Sequence, residues 1–195
     1  MWSSISPIEL ASVAFAVAYL ALAIRQSVLC WPAALISVAL AMLLFFDSRL
    51  YMESALQIFY FGMAIYGWYE WRRGGERGTG VTIHWWPAGR HAVVFAAVGL
   101  LSLGFGWLLS HTDAAFPYVD SFTTVAAIIT TFMVARKVME NWLYWFVIDA
   151  VSVYIYWQRD LPLYAALFVL YLVLIVIGYR AWHRDWRAAL LAADA

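Results

Sequence analysis

Charge is scarce in this sequence. Only 12% of the 195 residues are charged and 66% are hydrophobic, whereas about a quarter of the residues of a soluble domain carry charge. The composition therefore predicts a polytopic membrane protein. The 12 basic and 12 acidic residues cancel, so the net charge favours neither a nucleic acid nor an acidic partner. No basic residue precedes the first apolar run, and we expect no cleavable signal peptide.

Residue types that carry chemistry are equally sparse. The single cysteine, Cys30, excludes an internal disulfide, and the single lysine, Lys137, lies outside the apolar runs, which excludes a retinal pigment. The histidines lie in loops or at the ends of apolar runs, where they cannot face one another across a haem or a metal ion: His84, His91, His111 and His183. Neither a nucleophile beside a base nor a phosphate-binding glycine loop is present. We therefore expect no enzyme, no cofactor and no metal site.

Seven apolar runs are long enough to cross a bilayer as helices. They are residues 6–24, 28–46, 50–71, 91–110, 118–135, 141–158 and 161–179. The one long connection, residues 72–90, is rich in Gly and Arg and contains a Trp-Trp-Pro step, which predicts a loop at the membrane surface that acts as a hinge or a tether. The expected fold class is an all-α integral membrane protein with seven transmembrane helices.

Basic residues are divided unevenly between the two sides of such a bundle. One side carries two of them, Arg49 and Arg159. The other side carries ten: Arg25, Arg72, Arg73, Arg77, Arg90, Arg136, Lys137, Arg180, Arg184 and Arg187. Because loops rich in Arg and Lys stay in the cytoplasm, this difference predicts that the N-terminus is outside and the C-terminus is cytoplasmic.

The sequence repeats itself at an offset of 111 residues. The offset aligns the following pairs without a gap: Arg25 with Arg136, Trp31 with Trp142, Leu50 with Leu161, Gly67 with Gly178 and Trp71 with Trp182. A three-helix repeat at residues 1–71 is therefore predicted to recur at residues 118–182, with a cytoplasmic loop at 72–90 and a cytoplasmic tail at 183–195. Three helices would leave the second repeat inverted, so the helix at 91–110 restores a parallel orientation and gives a 3+1+3 arrangement.

The stretch 140–156 carries the clearest functional pattern. Five residues lie on one face of a helix, at gaps of 3, 4, 3 and 4: Trp142, Trp145, Asp149, Ser152 and Tyr156. Asp149 lies roughly 12 Å along the axis from Asn141, near the middle of a bilayer about 30 Å thick. A carboxylate at that depth costs at least ~2.5 kcal/mol, so by default it indicates function.

Two other predicted helices carry comparable faces. Gln57 and Tyr60 lie on one face of the third helix, and Thr124 belongs to a threonine-rich face of the fifth. Because polar groups facing lipid are costly, the three faces are predicted to line a common cavity. The alternatives are that Ser and Thr bond their own helix, that Trp and Tyr near helix ends anchor the interface, and that Asp149 makes a structural hydrogen bond.

A cavity of this kind suits a flat, cationic and hydroxylated ligand. Trp142 and Trp145 would stack on its ring, with about 2 kcal/mol from cation–π attraction when the site is dry. Asp149 would meet the positive charge. Amide and hydroxyl groups would bond the ligand's hydroxyls: Gln57, Asn141, Thr124 and Ser152. Phosphate is a poor fit, since no Arg or Lys lies inside the apolar spans.

Three runs resemble the PnuC family of bacterial vitamin transporters: LYMESALQIFYFGMAIYGWYEW at 50–71, ENWLYWFVIDAVS at 140–152 and GYRAW at 178–182. The resemblance covers nearly the whole chain. It implies a fold like that of the SWEET sugar facilitators, a homotrimer in the bacterial inner membrane, and uptake of nicotinamide riboside by facilitated diffusion, with trapping by an intracellular kinase. Related members take thiamine or riboflavin. It also implies a binding region that includes Gln57, Tyr66, Trp68, Asn141, Trp142 and Trp145.

The chain departs from this family at two positions. Asp149 and Ala64 stand where nicotinamide riboside carriers often have Asn. Losing two amides removes partners for ribose hydroxyls, whereas a carboxylate adds affinity for a cation. Both nicotinamide riboside and thiamine carry a ring cation, so the departures favour thiamine more than before but do not separate it from the riboside, which stays the expected substrate with thiamine as the alternative. Two other hypotheses stay open. One is a non-transporting subunit or sensor in which a protein partner holds Asp149, and the other is a proton-driven transporter that uses Asp149 for coupling.

Overall fold

The computed structural model of the chain describes residues 7–47, 51–75, 78–112, 116–158 and 162–193. Seven α-helices occupy these ranges: α1 (Pro7–Ile24), α2 (Cys30–Asp47), α3 (Tyr51–Arg73), α4 (Ala88–Leu109), α5 (Pro117–Ala135), α6 (Asn141–Gln158) and α7 (Pro162–Ala193). The prediction of an all-helical chain with seven helices is therefore confirmed. Some predicted features lie outside the described residues: Leu50 and Leu161 of the repeat, and Arg49, Arg77 and Arg159 of the charge count.

The helices differ in how apolar they are. Among the described residues, four stretches are long and apolar enough to cross a membrane, namely α1, α4, α5 and Ala165–Ala192 of α7, and α2 adds the shorter apolar stretch Cys30–Leu44. Helices α3 and α6 are less apolar because they carry the Tyr, Trp and polar residues of the predicted functional faces.

Two helix boundaries differ from those predicted. Helix α4 begins at Ala88 rather than at residue 91, because Pro87 takes an extended conformation at the N-cap (φ −68°, ψ 148°), where its missing N–H costs nothing. Helix α7 continues to Ala193, well past the predicted span end at 179. Residues 180–193 contain no Gly or Pro and are rich in Ala, Leu and Arg, so the helix has no reason to stop. The predicted tail is therefore helical as far as Ala193.

The chain divides into two compact units, residues 1–82 and 83–195. In the first unit, α2 packs against both α1 and α3. Ser12 and Ser37 join α1 to α2 reciprocally: each hydroxyl donates to the other residue's backbone carbonyl, at 3.1 and 2.9 Å. In the second unit, α4 packs on α5, α5 on α6 and α6 on α7.

A tryptophan lies against a glycine in each unit, at positions that the 111-residue offset aligns. A Cβ atom on Gly67 would overlap the Trp31 ring, and one on Gly178 would overlap the Trp142 ring. Each tryptophan also meets a second one edge-on. The ring centroids of Trp31 and Trp71 are 5.4 Å apart, and those of Trp142 and Trp182 are 5.3 Å apart, both at 88°. The glycines allow the helices to approach closely enough to bury these indoles.

The turns that precede α2 and α6 also correspond. Gln26 and Lys137 both take left-handed backbone conformations, with φ of 53° and 52°. The next residue in each turn donates a backbone hydrogen bond five residues back, Ser27 to Leu22 at 3.0 Å and Val138 to Met133 at 2.9 Å. This is the Schellman pattern of a helix C-terminus, here built without glycine.

The loop between α3 and α4 is hydrogen-bonded at both ends. Val81 N–H donates to the Glu70 carbonyl at 3.1 Å, which folds the first half of the loop back on α3. In the second half, His84 N–H donates to the Lys137 carbonyl at 3.2 Å and Met139 N–H donates to the His84 carbonyl at 2.9 Å. Each half of the predicted hinge or tether is thus fixed to its own unit.

A buried acidic group completes the attachment of the second half of the loop. The Glu140 carboxylate accepts a hydrogen bond from Trp86 N–H at 3.1 Å and lies 2.9 Å from His91 Nε2. The other ring nitrogen of His91 lies 2.9 Å from the Tyr144 hydroxyl. These contacts join the N-terminal ends of α4 and α6, and we call this set of four residues the Glu140 cluster.

Glycine-to-alanine substitution tests the contacts of Trp31 with Gly67 and of Trp142 with Gly178, which we call the tryptophan seats. Gly67→Ala and Gly178→Ala should each lower the thermal unfolding midpoint in detergent, because the buried rings of Trp31 and Trp142 have no space to move into. Overpacking of this kind costs about 1–3 kcal/mol. The matched control is Gly104→Ala in α4, where nothing lies within 4 Å of the added carbon. Equal midpoints for all three variants would show that packing of the two tryptophans does not depend on these glycines.

Removal of the Glu140 carboxylate tests the cluster. Glu140→Ala leaves Trp86 N–H and His91 without their acceptor, and we expect it to cost about 2–3 kcal/mol of stability, as for a buried bond to a charged group. Asp185→Ala is the control, because the Asp185 side chain is 40% exposed and pairs with the exposed Arg184 at 3.4 Å, and surface pairs contribute about 0–1 kcal/mol. Thermal unfolding in detergent measures both, and a drop no larger for Glu140→Ala than for the control would show that the cluster does not hold the helices together.

Candidate functional site

Asn141 begins α6 and is fully buried. Its side-chain Nδ2 donates to the Val138 carbonyl at 2.6 Å, which holds the turn before the helix. Its Oδ1 atom is buried and has no hydrogen-bond partner among the described residues. An unpartnered buried acceptor costs about 1–3 kcal/mol, so such an atom usually meets a ligand or an ordered water.

Asp149 lies at the centre of α6 and is 5% exposed. Its carboxylate makes no hydrogen bond to any residue that the structure describes. Tyr171 of α7 is near enough to interact with it electrostatically. The predicted alternative of a structural hydrogen bond from a Tyr or Trp therefore has no counterpart in the described part of the chain. A partnerless carboxylate at this depth is a costly feature that packing alone does not explain.

The two tryptophans of this face differ in their surroundings. Trp142 is 3% exposed, and its Nε1 has no hydrogen-bond partner among the described residues. The Nε1 atom of Trp31 in the first unit is also buried without a partner among the described residues. The lack of a partner for Trp142 Nε1 therefore comes with the tryptophan–glycine packing and does not by itself indicate a ligand. Trp145 is only half-buried, and it packs beside a small apolar cluster that includes Val125 and Ile148. Part of its ring is therefore available for contact.

Comparison of α6 with α2 at the 111-residue offset distinguishes the residues that both units use for packing from those present in α6 alone. Trp142 corresponds to Trp31 in α2, so both units have a tryptophan at this position. Its packing against a glycine explains this in each unit. The polar face does not recur, because the α2 counterparts of four α6 residues are apolar or small: Cys30 for Asn141, Ala34 for Trp145, Val38 for Asp149 and Ala41 for Ser152. The same helix packing is thus achieved without these side chains, which indicates that they serve another purpose.

Most hydroxyls of the predicted faces bond their own helix. Ser152 Oγ donates to the Ile148 carbonyl at 2.9 Å, and Thr130 and Thr131 donate to the carbonyls four residues back at 2.7 and 2.8 Å. This is the structural alternative for Ser and Thr. Thr124 is half-buried and makes no such bond in the described part of α5. Of these hydroxyls, that of Thr124 is the one left for a ligand.

The remaining predicted site residues belong to α3 in the first unit. Gln57 and Tyr66 are half-buried and make contacts within the protein. Tyr60 is half-buried with its ring centroid 5.5 Å from that of Phe59. Trp68 is 36% exposed and, as the residue after Gly67, points away from the contact between Gly67 and Trp31 by about 100° around the helix axis. The α6 residues and Thr124 of α5 therefore belong to one unit, and these four α3 residues belong to the other.

Two features of the second unit were not predicted. The first is the Glu140 cluster, whose contacting pairs lie 49 to 54 residues apart in sequence, so no local spacing indicates it. The second is a cavity of about 400 Å³ beside it, lined mainly by apolar residues of α4, α5 and α6. Leu143, Tyr144 and Val147 line this cavity, whereas Asn141 and Asp149 do not. It therefore adjoins a different face of α6 from the predicted polar one.

Comparison with known proteins identifies the family. The family model described as nicotinamide mononucleotide transporter matches residues 6–184. The nicotinamide riboside transporter PnuC of Escherichia coli (strain K12) is 28% identical over 174 residues, which cover 76% of this chain and 73% of that protein. The riboflavin/roseoflavin transporter RibM of Streptomyces davaonensis is 27% identical over 184 residues, which cover 90% of this chain and 86% of RibM.

A solved structure has the same fold. The crystal structure of the vitamin B3 transporter PnuC superposes with a TM-score of 0.69 at 23% identity, covering 91% of this chain and 80% of that chain. Together with the apolar helices, these matches confirm the predicted resemblance and the predicted location, a multi-pass protein of the inner membrane. The chain belongs to the nicotinamide mononucleotide transporter family and is a membrane transporter.

Proposed function

We propose that this transporter carries a cationic aromatic vitamin precursor, nicotinamide riboside or thiamine, by facilitated diffusion. The observation that carries the proposal is the Asp149 carboxylate, buried at the centre of α6 without a hydrogen-bond partner among the described residues. A ring cation would supply the missing counter-charge. The relatives are named for nicotinamide riboside and for riboflavin or roseoflavin, compounds that have a flat ring and hydroxyl groups. Among such compounds, a buried carboxylate favours one whose ring is cationic.

Each site residue then has a distinct role. Trp145 stacks on the ring, because its face is partly free and its counterpart in α2 is Ala34. Trp142 forms the rigid wall beside it. The Asn141 Oδ1 atom and the Thr124 hydroxyl bond the hydroxyls of the substrate. Four further residues stay predictions as substrate contacts: Ser152 of α6, whose hydroxyl bonds its own helix, and Gln57, Tyr60 and Tyr66 of α3. The substrate contact of Trp68 implied by the resemblance is not part of this proposal.

We also propose a 3+1+3 arrangement of parallel repeats, with the N-terminus outside, the C-terminus cytoplasmic, and three copies per assembly. The matching tryptophan seats and Schellman turns at the 111-residue offset support the duplication. In this arrangement the helix at 88–109 turns the chain round between the repeats. Transport follows from rocking of the two units about the loop that is hydrogen-bonded to each of them.

The second candidate is proton-driven uptake. It rests on the same Asp149 carboxylate, since an acidic group in mid-membrane that lacks a partner is also a suitable proton carrier. The hypothesis of a non-transporting subunit or sensor is not carried further, because the family is one of transporters.

Calorimetric binding in detergent tests the substrate site. Asp149→Asn should weaken binding of nicotinamide riboside and thiamine at least about 10-fold, or 1.4 kcal/mol, because the ring cation loses its counter-charge. Binding of the neutral riboflavin should not weaken. The control is Asp120→Asn, an exposed carboxylate in the first turn of α5. If a folded Asp149→Asn protein binds either cation as tightly as the parent, Asp149 is not the counter-charge.

The same measurement applies to the ring contact. Trp145→Ala should weaken every vitamin that the parent binds, by about 5-fold or more, since a cation–π or stacking contact contributes about 1–2 kcal/mol. Trp157→Ala is the matched control, because that indole lies near the far end of α6 and is exposed. Equal losses in the two variants would mean that the effect is not local to the site.

Uptake into proteoliposomes separates facilitation from proton coupling. A facilitator equilibrates labelled substrate across the membrane at the same level with or without a pH gradient, because nothing drives the substrate uphill. Accumulation above the external concentration under an inward proton gradient, lost in Asp149→Asn, would favour the proton-driven candidate instead.

A further inference from the structure

One face of α3 changes from apolar to aromatic to basic towards its end. Its residues lie at positions i, i+3, i+4, i+7 and i+8 and line a shallow groove of about 230 Å³: Ile65, Trp68, Tyr69, Arg72 and Arg73. This is a single helical stripe about 12 Å long at 1.5 Å per residue. We call it the α3 groove.

The α3 groove is on the far side of the helix from its packing contacts. Ala64, Gly67 and Trp71 are buried, with Gly67 against Trp31 of α2. Ile65 is 51% exposed and Tyr69 is 58% exposed. Among the described helices of residues 1–82, α3 packs on α2 and leaves this stripe uncovered.

No described residue neutralises the positive charges of the groove. Arg72 and Arg73 are exposed, and neither makes an ion pair or hydrogen bond to a residue that the structure describes. Glu70, the nearest carboxylate in sequence among the described residues, is buried on another face, where its side chain lies beneath Gly74. No acidic residue is among the five that line the groove.

The corresponding face of α7 is different. At the 111-residue offset, Arg73 aligns with Arg184, which lies 3.4 Å from Asp185. Trp68 aligns with Tyr179, whose ring stacks on His183 with centroids 5.8 Å apart at 19°. The α7 counterparts of Trp68 and Arg73 thus have partners within the protein, so an open groove is not a general property of these helix ends.

We propose that the α3 groove binds one anionic phospholipid. The two guanidinium groups hold the phosphodiester by charge-assisted hydrogen bonds, Trp68 and Tyr69 contact the glycerol region, and an acyl chain follows Ile65. The order of the groups along the stripe is that of a phospholipid from its tail to its headgroup. A free phosphate would use the arginines but leave the apolar half of the groove empty, so the lipid is the better fit.

The lipid assignment gives Trp68 a role different from the substrate contact implied by the family resemblance. The two roles make opposite predictions for Trp68→Ala. A lipid contact predicts weaker phospholipid binding with unchanged vitamin binding, and a substrate contact predicts the reverse.

Native mass spectrometry of the detergent-purified chain tests the site, with phosphatidylglycerol and phosphatidylcholine titrated separately. The parent should retain phosphatidylglycerol preferentially. At the attraction typical of a basic residue near an anionic lipid surface, loss of one arginine should weaken retention about 5-fold, and loss of both about 30-fold. The variants are Arg72→Gln, Arg73→Gln and the double substitution. Arg184→Gln is the matched control and should keep the parent's preference.

Two further arms keep the result interpretable. Tyr69→Ala removes an exposed side chain, so the fold is kept while lipid retention falls. Inorganic phosphate at the same concentration should not displace the lipid. Equal retention of phosphatidylcholine, an equal loss in Arg184→Gln, displacement by phosphate, or Trp68→Ala weakening vitamin binding alone would each overturn the lipid site.

Discussion

The contact between Trp142 and Gly178 sets the geometry on which the rest of the second unit depends. A bulky indole at the start of α6 enters the space left by a glycine of α7 and meets Trp182 edge-on. This fixes the rotation of α6 about its axis, so residues three and four apart on the same side become buried in turn. Asn141 and Asp149 are buried for this reason, while Leu143 on the other side stays exposed.

The duplicated seat explains why the polar face is informative. Trp31 and Gly67 reproduce the packing in the first unit, yet Val38 stands where the second unit has Asp149. If this packing needed a carboxylate, the first unit could not form its tryptophan–glycine contact with Val38 at that position. The first unit does form the contact. The two copies therefore act as an internal control, and the residues present in one copy alone are not required for this packing.

Much of this could be predicted from the sequence, because a bilayer imposes simple rules on length and polarity. The C-terminal ends of α1 to α6 agree closely with the ends of the predicted apolar runs. The spacing of Trp142, Asp149 and Ser152 correctly predicts one buried face. The end of α7 was missed, since hydropathy detects where a span ends and not where a helix ends. The Glu140 cluster and the attachment of the second half of the loop could not be predicted, because their partners are about fifty residues apart and belong to no periodic pattern.

A single carboxylate suits the proposed transport cycle better than a cluster of acidic groups. With a monovalent cation bound, the site is close to neutral, so it can be enclosed by apolar surroundings at low cost. Two or three acids would hold the cation too strongly to release it, and conduction requires that binding be weak enough to reverse. In the proposed cycle the empty site keeps a carboxylate without a counter-charge, which disfavours closure. The role proposed for Asp149 therefore favours rearrangement of the loaded carrier over that of the empty one, and it does so with one side chain.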